Sequence, residues 1–239
     1  MDWDGFALQV TDQDRIRLRS ELIAVGRTRL SPAVTPEAAE ALRDELTQST
    51  AWVRTMRQGN VERELDSATL ASLSPAHLAA IEQLARQGDE SVFRFLHDAI
   101  RLSPDGAERR KRGWLVDGCA EMLNSPATLD LVSELTGEQV HCFRGDATRY
   151  LPGHFLTTHN DGRKYAKRVL AFVLNLSNWH IDWGGLMLFH DGDGNVACGW
   201  PPRFNTANLF LVPQDHSVSW VTPLAREPRL TISGWFYAA

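Results

Sequence analysis

The second half of the sequence is built from short apolar segments with a period of two. After Gly137, β-branched and aromatic residues alternate with polar ones, and Gly, Pro, Asn and Asp separate the segments, as in QVHCFRGDATRYL, HSVSWV and RLTISGWF. No helical pattern lies between the segments, which argues against a parallel sheet because parallel strands need long crossovers. The pattern predicts an antiparallel β-sandwich or jelly roll in this half of the chain.

The first half of the sequence has a helical pattern instead. Apolar residues recur at helical spacing in four segments, three of which open with Ser or Thr followed by Pro: 35–49, 74–88, 89–103 and 125–137. One early strand is predicted at RTRLS (27–31), and His97 is expected on the surface of a helix. Helices with one apolar face need a surface to pack on. The predicted fold class is therefore α+β, with a jelly-roll core at 137–239 buttressed by a mainly helical support region at 1–136, within one integrated domain.

The composition describes an acidic globular chain. Its net charge of −5 argues against nucleic-acid binding, because phosphate groups require a basic face. No apolar run reaches the roughly 18 residues of a membrane span, and no secretory signal pattern opens the sequence. The three cysteines are scattered without a C-x-x-C pair, so we expect reduced thiols and a cytoplasmic location.

The segment TTHNDG places His159 and Asp161 two residues apart. Taken alone, the pair fits an ordinary polar turn. If the segment is a strand, both side chains face one side and can reach a common ion, with Asn160 pointing away. His216, which follows the apolar segment ANLFLV, offers a third ligand. Two histidines and one carboxylate form the facial triad of non-haem Fe(II) oxygenases, which leaves coordination positions open.

Arg229 follows His216 by 13 residues and opens the segment RLTISGWF. Alternation places Arg229, Thr231 and Ser233 on one face of a strand. A guanidinium directed into an apolar barrel is costly unless an anion meets it, and its fork suits a dicarboxylate such as 2-oxoglutarate. The alternative is an outward-facing Arg229 on an edge strand. In combination with the triad, the inward orientation is preferred.

In this order and combination, these residues resemble the 2-oxoglutarate/Fe(II)-dependent dioxygenases, and more closely their prolyl-hydroxylase-like branch. The resemblance rests on H-x-D, the distal histidine, the arginine and the segments RYLPGHFLTTHNDG, KRVLAFVLNLSNW, DWGGLMLF, PRFNTANLFLV, HSVSWV and RLTISGWF. These segments cover about ninety residues, from about 148 to 237. The first half of the chain resembles the family only loosely, through RTRLSPAVTPEAAEALRDEL.

The resemblance implies a double-stranded β-helix with an iron site near one open end. It implies His159, Asp161 and His216 as Fe(II) ligands and Arg229 as the partner of the distal carboxylate of 2-oxoglutarate. The implied reaction hydroxylates an unactivated C–H bond while 2-oxoglutarate is decarboxylated to succinate and CO2. The presence of Asp161 favours hydroxylation over halogenation, because halogenases of the family carry a small residue in its place.

Further co-substrate contacts also follow from the resemblance. Tyr150 stands where the family often has a tyrosine that contacts 2-oxoglutarate. Asn175 stands where some relatives have a tyrosine that contacts the distal carboxylate, so this chain departs from them there. O2 is the second co-substrate, and ascorbate is a candidate reductant.

The resemblance points to a prolyl residue or a free amino acid as the substrate, and so to a peptidyl or small-molecule partner. The alternatives are a non-catalytic β-sandwich binding module, a nucleic-acid demethylase of the same fold, and a metal-dependent isomerase or cupin. All three triad residues are present, which counts against the binding module. The acidic charge and the lack of a second arginine shortly after Arg229 count against the demethylase. A cupin would leave Arg229 without a dicarboxylate to bind.

Overall fold

The computed structural model describes residues 6–58, 61–87, 92–162 and 167–238. The helices within these ranges are α1 (Asp12–Val25), α2 (Pro36–Gln48), α3 (Ser67–Ser72), α4 (Pro75–Arg86), α5 (Gly106–Arg112), α6 (Leu115–Leu123) and α7 (Pro126–Thr136), followed by a short 3₁₀ helix (Ile181–Trp183). The strands are β1 (Arg27–Leu30), β2 (Val53–Gln58), β3 (Val61–Leu65), β4 (Arg94–Arg101), β5 (Val140–Tyr150), β6 (Phe155–His159), β7 (Arg168–Asn175), β8 (Met187–His190), β9 (Val196–Trp200), β10 (Thr206–Leu211), β11 (His216–Val218) and β12 (Arg229–Ala238). Within this described part, none of the helices has the length and apolar character needed to cross a membrane.

The strands form one curled antiparallel sheet. Its order is β1-β10-β7-β12-β5-β4-β6-β11-β8-β9, and β2 pairs with β4 and β3 beside this path. β4 is the junction between the two sides of the barrel, since it pairs with β5 near its end and with β6 near its start. β10 and β11 are consecutive in the chain yet lie far apart in this order, as the crossovers of a jelly roll require. The predicted α+β fold, a double-stranded β-helix buttressed by N-terminal helices, is confirmed.

Local signals at the helix ends match the predictions. At the start of α2, the side chain of Thr35 accepts a backbone hydrogen bond from the first turn and a proline follows. α7 begins in the same way at Ser125 and ends at Gly137, whose φ of 73° suits a left-handed cap. Three predicted helices and the early strand are confirmed within the described residues: 35–49, 74–88, 125–137 and 27–31.

β7 shows how the helices and the barrel share one sheet. Leu170 and Phe172 pack on the helix-covered face in the large core cluster, together with Leu18 of α1. Ala171 and Val173 point the other way and pack in a second cluster inside the barrel. A strand that is covered on both faces needs apolar residues at nearly every position. This explains why RVLAFVLN is almost continuously apolar.

The segment 89–103 was wrongly predicted to be a helix. Residues Arg94–Arg101 form β4 in the middle of the sheet, and residues 88–91 lie outside the described part of the chain. A strand that is buried on both faces can carry apolar residues at helical spacing, so the period alone does not separate the two structures. His97 is therefore not on a helix surface. It lies on β4 and, like Phe95, faces the inside of the barrel.

The first half of the chain also contributes more strands than the single one predicted. β2 and β3 form a hairpin that joins β4, and β4 in turn pairs with β5 and β6. Strands from both halves therefore belong to one sheet. The subdivision into a support region at 1–136 and a catalytic core at 137–239 stays a prediction.

A cluster of charged side chains lies buried between β2, β4 and β5. The enclosed carboxylate of Asp98 accepts hydrogen bonds from Nε of Arg54 at 2.6 Å and from Nε of Arg149 at 2.9 Å, and Arg54 also pairs with Glu82 of α4. Burial raises the pKa of Asp98, but the hydrogen bond and charge of Arg54 outweigh it and hold that pKa below its ordinary value. The cluster ties α4 and the β2–β3 hairpin to the barrel.

Replacing Asp98 by asparagine is expected to lower the free energy of unfolding by about 3–5 kcal/mol, because two largely buried guanidinium groups lose their shared carboxylate. Urea denaturation at pH 7 measures the loss. The difference from wild type should shrink as the pH falls through the lowered pKa of Asp98, where the native carboxylate becomes protonated. Asp193→Asn, in the exposed turn between β8 and β9, is the control and should stay within about 0.5 kcal/mol. A loss below about 1 kcal/mol for Asp98→Asn would contradict this account.

Candidate metal centre and adjoining cavity

Three side chains converge where β6 and β11 pair. His216 lies opposite His159 in the antiparallel register, and their ring centroids are 4.2 Å apart. The carboxylate of Asp161 lies 3.5 Å from Nε2 of each histidine, with a different oxygen toward each ring. The ligand atoms of the three residues all lie within 4.8 Å of one another. The structure therefore brings together the three residues that the sequence predicts as a metal site.

Asp161 reaches this position from a turn and not from a strand. β6 ends at His159, and Asp161 has a φ of 62°. This left-handed conformation is costly for most side chains but is tolerated by Asp. The expected strand geometry, with Asn160 pointing away, is therefore wrong. Asn160 closes the turn instead, since its side chain accepts a hydrogen bond from the N–H of Gly162.

Backbone carbonyl groups set the orientation of both imidazole rings. Nδ1 of His159 lies 3.0 Å from the carbonyl oxygen of Thr157, and Nδ1 of His216 lies 2.8 Å from that of Gln214. A carbonyl oxygen only accepts, so we assign the proton to Nδ1 of each ring, which leaves each Nε2 lone pair directed toward Asp161. Histidines that bind metals commonly have this arrangement.

Arg168 fixes the turn that carries Asp161. Its Nη1 donates to Oδ1 and to the carbonyl oxygen of Asp161, each at 3.3 Å, and its Nε donates to the hydroxyl of Tyr237 at 3.3 Å. Its guanidinium carbon lies 3.5 Å from the ring centroid of Trp235. The sequence analysis did not identify Arg168, because a single sequence does not show that β7 begins beside this turn.

Burial and neighbouring charges favour the metal-binding protonation states at neutral pH. Burial raises the pKa of Asp161, but the hydrogen bond and charge that a protonated His159 supplies, together with the charge of a protonated His216, outweigh it and lower this pKa to about 2. Burial and the charge of His159 lower the pKa of His216 to about 4. At pH 7, Asp161 is therefore charged and His216 neutral, as ligation of a divalent metal requires.

The triad lines a cavity of about 710 Å³ inside the barrel. Alternate residues of β12 face the same cavity, as the period of two predicts: Arg229, Thr231, Ser233 and Trp235. Arg229 is only 2% exposed, and it makes no hydrogen bond or ion pair with any residue that the structure describes. A buried guanidinium without an acid is costly, so this part of the cavity is suited to an anion.

Tyr150 shares the cavity with Arg229, whereas Asn175 does not line it. The guanidinium carbon of Arg229 lies 5.0 Å from the ring centroid of Tyr150, and the two residues are paired across β12 and β5. Asn175 is fully buried, and its Nδ2 donates to the carbonyl oxygens of Thr206, at 2.8 Å, and Val173, at 3.4 Å. The amide of Asn175 therefore links strands of the sheet. The co-substrate contacts of Tyr150 and Asn175 stay predictions.

His97 is a cavity residue that the sequence analysis missed. It lines the cavity from β4, and its ring stacks on that of Tyr150 with centroids 5.2 Å apart. The segment RFLHDAIR contains a signal, since Phe95, His97 and Arg101 fall on one face of a strand and Leu96, Asp98 and Ile100 on the other. The helical prediction for 89–103 concealed it.

The donor set fits an Fe(II) ion and a dicarboxylate. Two imidazole nitrogens and one carboxylate oxygen can occupy one face of an ion and leave its other positions open to the cavity. The unpaired guanidinium of Arg229 can bind a carboxylate within the same cavity.

Several solved structures share the fold at low sequence identity. A prolyl-4-hydroxylase from Pseudomonas putida is 18% identical, with a TM-score of 0.61 over 94% of this chain and 99% of that one. A prolyl hydroxylase from Trichoplax adhaerens, in complex with a peptide fragment of the hypoxia inducible factor oxygen degradation domain, is 16% identical, with a TM-score of 0.62 over 96% and 94%. The α-ketoglutarate-dependent epimerase SnoN of nogalamycin biosynthesis is 14% identical, with a TM-score of 0.58 over 96% and 84%.

A family model matches the C-terminal part of the chain. Residues 145–237 match the 2OG-Fe(II) oxygenase superfamily, whereas no curated protein matches the sequence. The matched region contains the triad and Arg229, and the match supports a dioxygenase of the class that uses Fe(II), 2-oxoglutarate and O2. Its fold is similar to those of two prolyl hydroxylases.

Removing one candidate ligand is expected to abolish stable Fe(II) binding. His159→Ala leaves one imidazole and one carboxylate, which are too few to complete the facial triad. After anaerobic loading and desalting, the iron content should fall from about one ion per chain to near zero, as measured by elemental mass spectrometry. His141→Ala, which removes an exposed histidine of β5, is the control and should match wild type. Equal iron content in wild type and His159→Ala would contradict the site.

Removing the support of Asp161 is expected to weaken Fe(II) binding without abolishing it. Arg168→Gln releases the turn and the carboxylate, so the dissociation constant for Fe(II) should rise about tenfold or more. Competition with a chelator measures it under anaerobic conditions. Lys167→Gln, at the adjacent exposed position, is the matched control and should change little. An unchanged dissociation constant in Arg168→Gln would show that the turn holds Asp161 without this arginine.

Proposed function

We propose that this chain hydroxylates an unactivated C–H bond of a prolyl residue or of a free amino acid, with decarboxylation of 2-oxoglutarate to succinate and CO2. In this proposal His159, Asp161 and His216 hold Fe(II), and Arg229 binds the distal carboxylate of 2-oxoglutarate beside Tyr150. One observation carries the proposal. The triad and an uncompensated buried arginine line the same cavity.

A 2-oxo acid with a second carboxylate satisfies both parts of this cavity. The metal, when bound, supplies Lewis-acid and redox chemistry for the 2-oxo acid and O2. The distal carboxylate compensates the charge of Arg229 through a planar, charge-assisted pair. A 2-oxo acid without that carboxylate would leave the guanidinium buried and unpaired, and would therefore bind more weakly.

Aromatic rings surround the triad and support a water-poor site. The ring centroid of Phe210 lies 4.6 Å from that of His216, and the ring centroid of Phe93 lies 4.8 Å from that of His159. Trp235 lines the same cavity. Excluding water strengthens the electrostatic interactions in a site and suppresses side reactions of a reactive intermediate.

The cavity has room for a substrate beside the co-substrate. Its volume of about 710 Å³ is within the range of pockets that hold drug-sized ligands. Its lining also includes polar groups, among them Arg57, Glu62 and Asp215. Two of the structurally similar proteins are prolyl hydroxylases, and one of them is bound to a peptide fragment. A proline within a peptide is therefore the first substrate to test, and a free amino acid is the second.

Substrate-dependent formation of succinate tests the proposed reaction. The purified chain is incubated with Fe(II), 2-oxoglutarate and O2, and proline-containing peptides are compared with free proline and other amino acids. The expected product is the substrate with one added oxygen atom, identified by mass spectrometry, and His159→Ala should form none. A product of unchanged mass and inverted stereochemistry would contradict hydroxylation and indicate epimerisation.

Replacing Arg229 by glutamine is expected to weaken 2-oxoglutarate binding by about 10- to 100-fold, since charge-assisted hydrogen bonds contribute about 1.5–3 kcal/mol. Calorimetric titration of the Fe(II)-loaded protein without oxygen measures the effect. The unliganded variant should be at least as stable as wild type in urea, because an uncompensated buried charge has been removed. Arg203→Gln, on the surface, is the control. Unchanged 2-oxoglutarate affinity in Arg229→Gln would contradict the assigned role.

A further inference from the structure

His97 lies near the arginine that binds the co-substrate in the proposed function, with Tyr150 between them. Its ring stacks on Tyr150 at an interplanar angle of 20°, and Tyr150 in turn lies beside Arg229. All three side chains line the cavity. They come from three adjacent strands, β4, β5 and β12, so the sheet itself holds them together.

The ring of His97 is polar but has no hydrogen-bond partner. Neither ring nitrogen bonds to any residue in the described ranges, and Nδ1 is enclosed while Nε2 is not. An enclosed N–H without an acceptor is rarer in proteins than an enclosed acceptor without a donor. The favoured neutral form therefore carries its proton on Nε2, where it is a donor available to a ligand in the cavity.

The charges around His97 keep it neutral at pH 7. Burial and the charges of Arg101 and Arg229 lower its pKa to about 4, although the nearby charge of Asp98 acts in the opposite direction. A neutral imidazole can donate a hydrogen bond to a carboxylate without adding a second uncompensated charge to the empty cavity.

Several other polar groups near Arg229 already have partners, whereas the hydroxyl of Tyr150 has none among the described residues. Nδ2 of Asn175 donates to backbone carbonyls, and its Oδ1, which is buried without a partner, can only accept. The hydroxyl groups of Thr148 and Thr231 lie 2.5 Å apart and hydrogen-bond to each other. Among the described lining residues, His97, like Tyr150, is thus a donor near Arg229 that lacks any partner of its own.

We propose that His97 is a second binding residue for the distal carboxylate of 2-oxoglutarate, which it contacts through Nε2–H beside the guanidinium of Arg229. This inference rests on the proposed function and deepens it. It assigns to β4 the donor that the sequence analysis expected from Asn175 on β7.

The experiment compares two 2-oxo acids of equal length. 2-Oxoglutarate and 2-oxopentanoate, which has a methyl group in place of the distal carboxylate, are titrated calorimetrically into Fe(II)-loaded protein without oxygen. His97→Phe keeps the aromatic stacking on Tyr150 but removes the donor, and His97→Gln restores an N–H near the position of Nε2. His77→Phe, at an exposed position of α4, is the matched control.

The expected result is a selective loss. His97→Phe should weaken 2-oxoglutarate binding about tenfold or more, as the loss of a charge-assisted hydrogen bond predicts, and change 2-oxopentanoate binding less than about twofold. His97→Gln should recover part of the affinity for 2-oxoglutarate, and His77→Phe should match wild type. Iron content and thermal midpoint confirm that each variant is folded, and His97→Met replaces the phenylalanine variant if that one is not.

Two results would overturn the inference while leaving the proposed function intact. One is unchanged 2-oxoglutarate affinity in both His97→Phe and His97→Met. The other is an equal loss for both acids, which would show that His97 only positions Tyr150. A wild-type protein that binds iron but not 2-oxoglutarate would instead overturn the proposed function, and this inference with it.

Discussion

The pairing of β6 with β11 is the interaction on which the candidate site depends. It joins segments 57 residues apart in the sequence and sets His216 opposite His159. A slip of one residue would turn a histidine to the other face of the sheet. The ladder is also irregular, because Val218 pairs with Leu156. A bulge of this kind re-aims side chains, and it explains how His159 and Leu156, three residues apart, both line the cavity.

Apolar packing on the outer face of the large sheet offsets the destabilising effect of the buried, unpaired Arg229. A buried and unpaired charge destabilises a protein by several kcal/mol, whereas each fully buried Leu or Phe stabilises it by about 1.5–3 kcal/mol. Leu230 and Ile232 alternate with Arg229 on β12 and pack into the helix-covered core cluster. A few such side chains offset the cost of one guanidinium. The helices therefore do more than cover the barrel, since they allow its interior to carry a charge that none of the described residues compensates.

Much of the fold and the triad could be predicted because their signals are local or ordered along the chain. The capped helices, the period of two after Gly137 and the inward face of β12 belong to this group. β4 could not be predicted, because a strand buried on both faces resembles a buried helix in a single sequence. Because this segment was predicted to be a helix, the position of His97 in the cavity was also missed. The left-handed turn at Asp161 and its contact with Arg168 depend on where β7 begins relative to β6, which is a property of the assembled sheet.

If Arg229 binds the co-substrate as proposed, the pairing geometry also explains how a shared fold can hold that co-substrate with different residues. Thr231 lies between Asn175 of β7 and Thr148 of β5, and Arg229 lies beside Tyr150. A donor on β7 therefore approaches the carboxylate from one side of β12, and a donor on β4 approaches it from the other. In this chain Asn175 binds backbone carbonyls and leaves the first side without a donor. The unpartnered His97 lies on the second side. The donor can therefore come from a different strand while the position of the arginine and the pairing of the sheet are the same.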